Sequence, residues 1–258
     1  MEVHHHAHTP DPDSHRGRKK WTHYFWEFLM LFLAVTLGFF VENQREHYIE
    51  HKREKEYIRS LVTDLRKDTA NASIHLRNNI LKFKGLDTLI DLLKSDRPID
   101  SAITSQLYDL SYGYGRNMSL VITNEITIQQ LLSSGNVRLL RKKGVYDSLV
   151  SYQLRRNQIS RLANIYEEYW RKSYSFHDEL LKIRGYRTII MNSDTSFTRI
   201  YNHNNLKLIS TEKSKLNKYA EATEALRAVI STYINSLKLL KQSAFNLLVF
   251  LKKEYHLE

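Results

Sequence analysis

Cysteine is absent from the 258 residues, which removes disulfide frameworks, cysteine zinc sites and thiol nucleophiles together. The absence permits an oxidising compartment without proving one. Proline occurs only three times, at positions 10, 12 and 98, and glycine only eight times. Sheets joined by tight turns need more of both, so the composition predicts an all-α fold. No internal period of about 20–50 residues recurs, so a solenoid is not expected. Glycine-rich phosphate loops, HExxH, GxSxG and the dinucleotide fingerprint are all missing. No catalytic residue and no cofactor is therefore assigned, and the chain reads as a non-enzyme.

What is present begins with Tyr24 to Val41, YFWEFLMLFLAVTLGFFV, an apolar run with one charge, Glu27, that breaks off into ENQREHYIEHKREKEY. From Trp21 to Val41 a helix would be roughly 31 Å long, enough for a hydrocarbon core of about 30 Å. Trp21, Tyr24 and Trp26 cluster at one edge, where amphipathic rings prefer the headgroups. Glu27 lies about one turn inside that edge, within reach of the interface. Gly38 has no GxxxG partner, so no dimerisation motif is present. The apolar core is longer than a cleaved signal peptide needs, and Phe39-Phe40-Val41-Glu42 is no cleavage site. An uncleaved signal anchor is expected over residues 21–41.

Basic residues flank the run on both sides: Arg16, Arg18, Lys19 and Lys20 before it, Arg45, Lys52, Arg53, Lys55 and Arg59 after it. Long domains translocate largely regardless of charge, whereas a short basic tail stays in the cytoplasm. The expected topology is a single pass through the inner membrane, with the N-terminus cytoplasmic and the domain periplasmic. The formal net charge is +11, and residues 42–258 hold 35 basic against 24 acidic side chains. A basic domain tethered to a bilayer attracts anionic headgroups and other surface polyanions. No nucleic-acid-binding module is recognisable, and nucleic acid is not an expected partner.

Residues 1–20 carry little apolar material and two prolines, which predicts a disordered His-rich basic tail. A charged helical stalk is expected over 42–56, polar on every face, and a helical bundle over 57–258. Apolar spacing starts at Tyr57, Ile58, Leu61, Val62 and Leu65, and a further helical region stops at Asp96-Arg97-Pro98. Tyr112-Gly113-Tyr114-Gly115 reads as a loop, Asn124 as the cap of ITIQQLLSS, and Gly135-Asn136 as its left-handed stop. A long helix is predicted for about 145–183, and the NSDTS and NHNN stretches within 186–210 read as loops. The last helix, capped by Thr211, has the strongest pattern. Leu216, Tyr219, Thr223, Leu226, Ile230, Tyr233, Leu237, Leu240, Ala244, Leu247 and Leu251 alternate steps of three and four, the seam of an antiparallel bundle or coiled coil. Residues 244–251, apolar almost all round, belong in the core.

Candidate ligating residues are few. His4, His5, His6 and His8 offer neutral imidazoles to a divalent transition metal. His47 and His51, at i and i+4 on the stalk, form an alternative pair on one helical face. A membrane between the two groups would prevent them from sharing one ion. Arg141, Lys142 and Lys143 with Arg155, Arg156 and Arg161 make a basic face for polyanion contact, against the plainer reading of a solvated, ion-paired surface. His177-Asp178-Glu179 is the one tight acid–imidazole cluster. Neighbours on a helix point apart, so it reads as ordinary surface.

Two stretches carry a resemblance. HHHAH followed by KKWTHYFWEFLMLFLAVTLGFFVENQREHYIEHKREKEYIRSLVTDL resembles the N-terminus of uncharacterised single-pass membrane proteins common in Bacteroidota. LLSSGNVRLLRKKGVYDSLVSY is similar to a shorter segment found in related domains of unknown function. The resemblance implies a bacterial membrane protein with a helical extramembrane domain, and it brings no activity. Physically, Ser133-Ser134-Gly135-Asn136 reads as a helix stop and tight corner. The expected function is a membrane-anchored helical scaffold or interaction module; the alternative is a metal-handling protein or enzyme whose site is assembled from scattered residues. Expected partners are the lipid bilayer, a protein or envelope polyanion, and a further copy of the chain.

Overall fold

A computed structural model describes residues 21–133, 135–182, 187–191, 197–201 and 206–257. The fold is all-α in architecture, as the composition predicts. Helix α1 covers Trp21–Lys94, α2 Ser101–Leu110, α3 Ile126–Ser133, α4 Val145–Leu180 and α5 Lys213–Glu254. A π-helical turn, Ser111–Gly115, extends α2, and a 3₁₀ turn, Asn136–Leu139, follows α3. Two short antiparallel strands, β1 (Arg187–Met191) and β2 (Phe197–Tyr201), pair from Arg187↔Tyr201 to Met191↔Phe197. This hairpin was not expected. RTIIM and FTRIY are β-branched and aromatic, and a polar NSDTS stretch separates them, a local signal that the scarcity of glycine and proline concealed.

The chain divides into two compact units, Met1–Arg53 and Glu54–Glu258. In the first, the described residues form one helical segment whose apolar run is exposed except for the half-buried Leu29. Glu27 is paired there with His23, 3.0 Å away and one turn earlier. In the second, three long helical stretches build the core. Residues 54–94 of α1 run parallel to α4, as the pairs Asp68–Tyr152 and Asn79–Tyr166 show. Helix α5 runs antiparallel to both, with Arg227 beside Asp87 and Glu221 beside Lys94. The parallel pair arises because residues 95–144 carry the chain back to the starting end of the unit before α4 begins.

Every member of the three–four series on α5 is buried. The end of that helix is more amphipathic than its apolar composition suggested: Ala244, Leu247 and Leu251 face the core, while Phe245 and Val249 are about half exposed. Glu54 departs from the solvated-stalk reading. It is only 2% exposed, accepting a hydrogen bond from Tyr255 Oη at 2.5 Å and one from the Arg141 amide at 3.0 Å. The stalk pattern ends where such partners begin.

Gly85 does not interrupt α1. It is buried, and a methyl group on its Cα would overlap the ring of Tyr114. The missing side chain lets the π-helical turn lie directly on α1, a close approach that only glycine permits. Gly85→Ala is expected to lose about 1–3 kcal/mol of stability through overpacking, although alanine is the better helix former by about 1 kcal/mol. Thermal melting followed by circular dichroism checks this, and a raised Tm contradicts it. Tyr112–Gly115, read as a loop, is helical, and the expected Thr211 cap is replaced by Glu212, whose side chain makes no cap hydrogen bond. Gly135 and Gly144 adopt the left-handed conformation, with φ of 68° and 82°, as a helix stop and the start of α4 require.

Candidate functional site

Asp64 and Asp68 stand at i and i+4, so one face of α1 presents both carboxylates to the segment 123–127 and to α4. Asp64 accepts from Asn124 Nδ2 at 2.6 Å and Thr127 Oγ1 at 2.5 Å. Asp68 accepts from the Asn124 amide at 2.9 Å and Tyr152 Oη at 2.5 Å. Burial raises the Asp68 carboxyl, while the Tyr152 hydrogen bond opposes that rise. The Tyr152 hydroxyl is raised as well, by burial first and then by the Asp68 charge. Asn124 does reach the Ile126 amide, at 3.4 Å, but its shorter bonds go to the two aspartates.

Arg156 corrects the surface reading. It is 2% exposed, and its guanidinium meets Thr123 Oγ1 and Gln153 Oε1, both at 3.0 Å, and Glu125 at 2.9 Å. Its charge also favours the ionised form of Asp68. Two carboxylates and one guanidinium are therefore taken up inside the protein, tying α1, α3 and α4 to one another. Of the basic face read from the sequence, Arg141, Lys142, Lys143, Arg155 and Arg161 are exposed and Arg156 is not.

His177 is likewise buried, 1% exposed, and not ordinary surface. Its ring stacks on Tyr174 with centroids 5.0 Å apart and meets the edge of Tyr112 at 4.9 Å. Nδ1 lies 2.9 Å from Asp178 Oδ1, so the adjacent pair does interact. Nε2 has no hydrogen-bond partner among the described residues. Burial holds the imidazole below its usual pKa, against the opposing pull of Asp178. Burial also pushes the Tyr112 hydroxyl up to about 12. A neutral imidazole with a bare ring nitrogen among tyrosines has the chemistry of a proton acceptor, enclosed on the sides that the rings cover. Both Arg156 and His177 continue the spacing of Leu149, Tyr152, Ile159, Tyr166, Ser173 and Leu180 on α4. That seam was legible; its two charged or titratable members were not recognised as part of it.

A third cluster surrounds Lys82. The side chain is buried, donates to the Asn117 carbonyl and lies 5.5 Å from the centre of the Tyr166 ring. Burial brings its pKa down to about 7. Beside it, Asn79 donates to the Ser119 carbonyl at 2.7 Å and accepts from Tyr166 Oη at 3.1 Å. Trp170 Nε1 donates to the carbonyls of Gly115 and Arg116 at 3.0 and 2.9 Å, and the Val121 amide donates to Tyr233 Oη at 3.0 Å. Segment 116–125 has no regular backbone pairing, and buried side chains from all three long helices supply partners for its polar groups.

The tail histidines, His4, His5, His6 and His8, lie outside the described residues. His47 and His51 are exposed on the helix of the first unit, and no group of three or more His, Asp or Glu side chains suited to a metal ion occurs among the described residues. Gly135-Asn136 is a corner held by Asn136 Nδ2, which donates to Tyr57 Oη at 2.9 Å. Two concave features stand out in the second unit. One, of about 560 Å³, runs between α4 and α5 past Ser151, Arg155, Gln242 and Phe250. The other, of about 390 Å³, lies where α1 ends and α5 begins. No protein-family model, curated protein or solved structure matches the chain.

Proposed function

We propose that the chain is a single-pass membrane-anchored scaffold or interaction module, with residues 21–41 in the bilayer and the helical unit as its working part. One observation carries the reading. Phe28, Leu31, Val35 and Phe39 are each at least 65% exposed, and Phe25, Leu33 and Phe40 on the other faces of the same helix are 49%, 42% and 57% exposed. An apolar surface that encircles a helix far exceeds the patches that soluble monomers leave bare, and a bilayer is the solvent that removes the penalty. The resemblance of this stretch to single-pass proteins of Bacteroidota supports the same reading, and the short basic tail before a long domain is the ground for proposing the inner membrane as location with the helical unit on the periplasmic side.

In the second unit, the buried polar groups support a scaffold more than a reaction centre. Asp64, Asp68, Arg156, Asn79 and Lys82 bridge helices or hold segment 116–125. Neither His177 nor Lys82 lines the pockets of about 390 and 560 Å³. A protein or an envelope polyanion is the partner that the exposed Arg141, Lys142, Lys143, Arg155 and Arg161 suit.

Alkaline carbonate extraction tests the anchor: the chain should stay in the membrane pellet, and its release into the supernatant overturns the reading. The cysteine-free background makes orientation measurable. Ser175→Cys, at an exposed position of α4, should react with a membrane-impermeant maleimide from the periplasmic side. Protection there, with labelling only after lysis, reverses the topology.

A further inference from the structure

We propose that the pocket between the end of α1 and the start of α5 binds a short amphiphile with an anionic head. The pocket measures about 390 Å³, within the range of sites that enclose small molecules. Leu92, Leu93, Ile99, Ile103, Leu107 and Leu216 supply its apolar wall. Three of these, Leu93, Leu107 and Leu216, also line an apolar seam behind the pocket that leaves no room for a water molecule. Ser111 lies along that seam, fully buried beside Tyr219. The aliphatic side chains of the pocket offer contact to a short hydrocarbon tail.

The mouth supplies the charge preference. Lys213 Nζ is engaged: it donates to the Lys94 carbonyl at 3.1 Å and the Ser95 carbonyl at 2.5 Å, and pairs with Asp96 at 3.1 Å. Asp100, at the start of α2, accepts from the Ile103 amide at 2.8 Å. Asp96 and Asp100 therefore have partners, while Glu212, between the pocket-lining Thr211 and Lys213, is exposed. Arg97 lines the pocket with its guanidinium exposed and uncommitted to any described side chain. Helix α5 opens onto the same pocket through Thr211, Lys213 and Leu216, with no side-chain cap and no acidic residue in its first turn. The Glu212 amide donates to Ser210 Oγ at 3.3 Å and the Lys215 amide to the Glu212 carbonyl at 3.0 Å, so it is chiefly the helix dipole that favours an anion here. A planar guanidinium matches a carboxylate with two parallel hydrogen bonds. An apolar wall, a free arginine and an uncapped helix start thus converge on one molecule, with its tail inward and its carboxylate at Arg97.

The test uses the full chain in phosphatidylcholine nanodiscs, titrated with octanoate by calorimetry against empty discs, and with octyltrimethylammonium as the cationic counterpart. Octanoate should bind saturably, and at least about tenfold more tightly than the cation, the discrimination expected of a charge-assisted hydrogen bond. Ile99→Trp, which fills the wall, should abolish binding. Arg97→Glu changes only an exposed side chain and should reverse the preference. Chain that enters the discs yet gives no saturable octanoate signal overturns the pocket while leaving the anchor standing. Equal affinity for both amphiphiles, or binding indifferent to both substitutions, overturns it as well. Failure to enter the discs tells against the membrane reading instead, and the titration is then run on the chain without lipid, with the same outcomes deciding.

Discussion

Replacing Arg156 by methionine lowers the free energy of unfolding by about 3–5 kcal/mol, the usual consequence of removing one member of a buried charged group. The guanidinium is enclosed, and it bonds to Thr123 and Gln153, pairs with Glu125 and favours the ionised form of Asp68. Methionine fills most of the volume but leaves the Asp68 charge without its counter-ion in the low-dielectric interior. The Thr123 hydroxyl also loses a donor. Guanidinium unfolding of the full chain, followed by circular dichroism, measures the loss. Arg155→Met is the control, because Arg155 is exposed and bonds to Gln158 at 3.2 Å; its effect should stay within about 0.5 kcal/mol. Equal effects at 155 and 156 would contradict the tie between α1 and α4. In a double-mutant cycle, Asp68→Asn should reduce the cost of Arg156→Met, since the charge left unpaired is then absent.

Stability should rise with pH between about 7 and 10, and Lys82 should account for the rise. In the folded protein the buried amine loses its proton near pH 7; in the unfolded chain it keeps it up to the ordinary 10.5. Between those values the unfolded state binds more protons, so raising the pH favours the folded state. A depression from 10.5 to about 7 corresponds to about 4–5 kcal/mol across the window. Below pH 7 the amine is charged in both states and its burial is most unfavourable. Lys82→Met should flatten the profile: more stable than the parent at pH 6, with the advantage gone by pH 10, where the neutral amine keeps its bond to Asn117. A parent profile without slope, or a slope that survives the substitution, would sink this assignment. His177, whose imidazole is also held low by burial, acts at lower pH and in the same sense. Its contribution is full above the ordinary histidine range and is lost as the pH falls through its folded value.

Arg156, Lys82 and His177 share the reason that they were hard to see. Each is a charged or titratable side chain on a helical face, and such residues are exposed unless specific partners exist. Beside the near neighbours Gln153 and Asp178, the decisive partners lie far off in sequence: Thr123 is 33 residues from Arg156 and Asn117 is 35 from Lys82, and His177 packs on Tyr112 from a different helical segment. The spacing of α4 does place Arg156 and His177 on the buried seam, so position was readable while the polarity argued the other way. Gly85 carries no signal in the sequence beyond its weak helix propensity. Its meaning came from Tyr114, which packs where a side chain would be. The β1–β2 hairpin had a local signature that the low glycine and proline content overrode.

The amino-acid sequence by itself determined the helical class, the apolar run of residues 24–41 and the buried seam of α5. Helix propensity, the 3.6-residue period and the length of an apolar stretch are properties of neighbouring residues, and they need no tertiary partner to be counted. Tertiary structure alone decided that α1 and α4 run parallel, that Glu54, Lys82, Arg156 and His177 are interior, and that Arg97, Lys213 and six aliphatic side chains from three helices and a loop share one pocket. Burial of a polar group depends on whether a partner arrives to satisfy it, and a pocket on which side chains fail to meet. Both are settled only when segments distant along the chain come together.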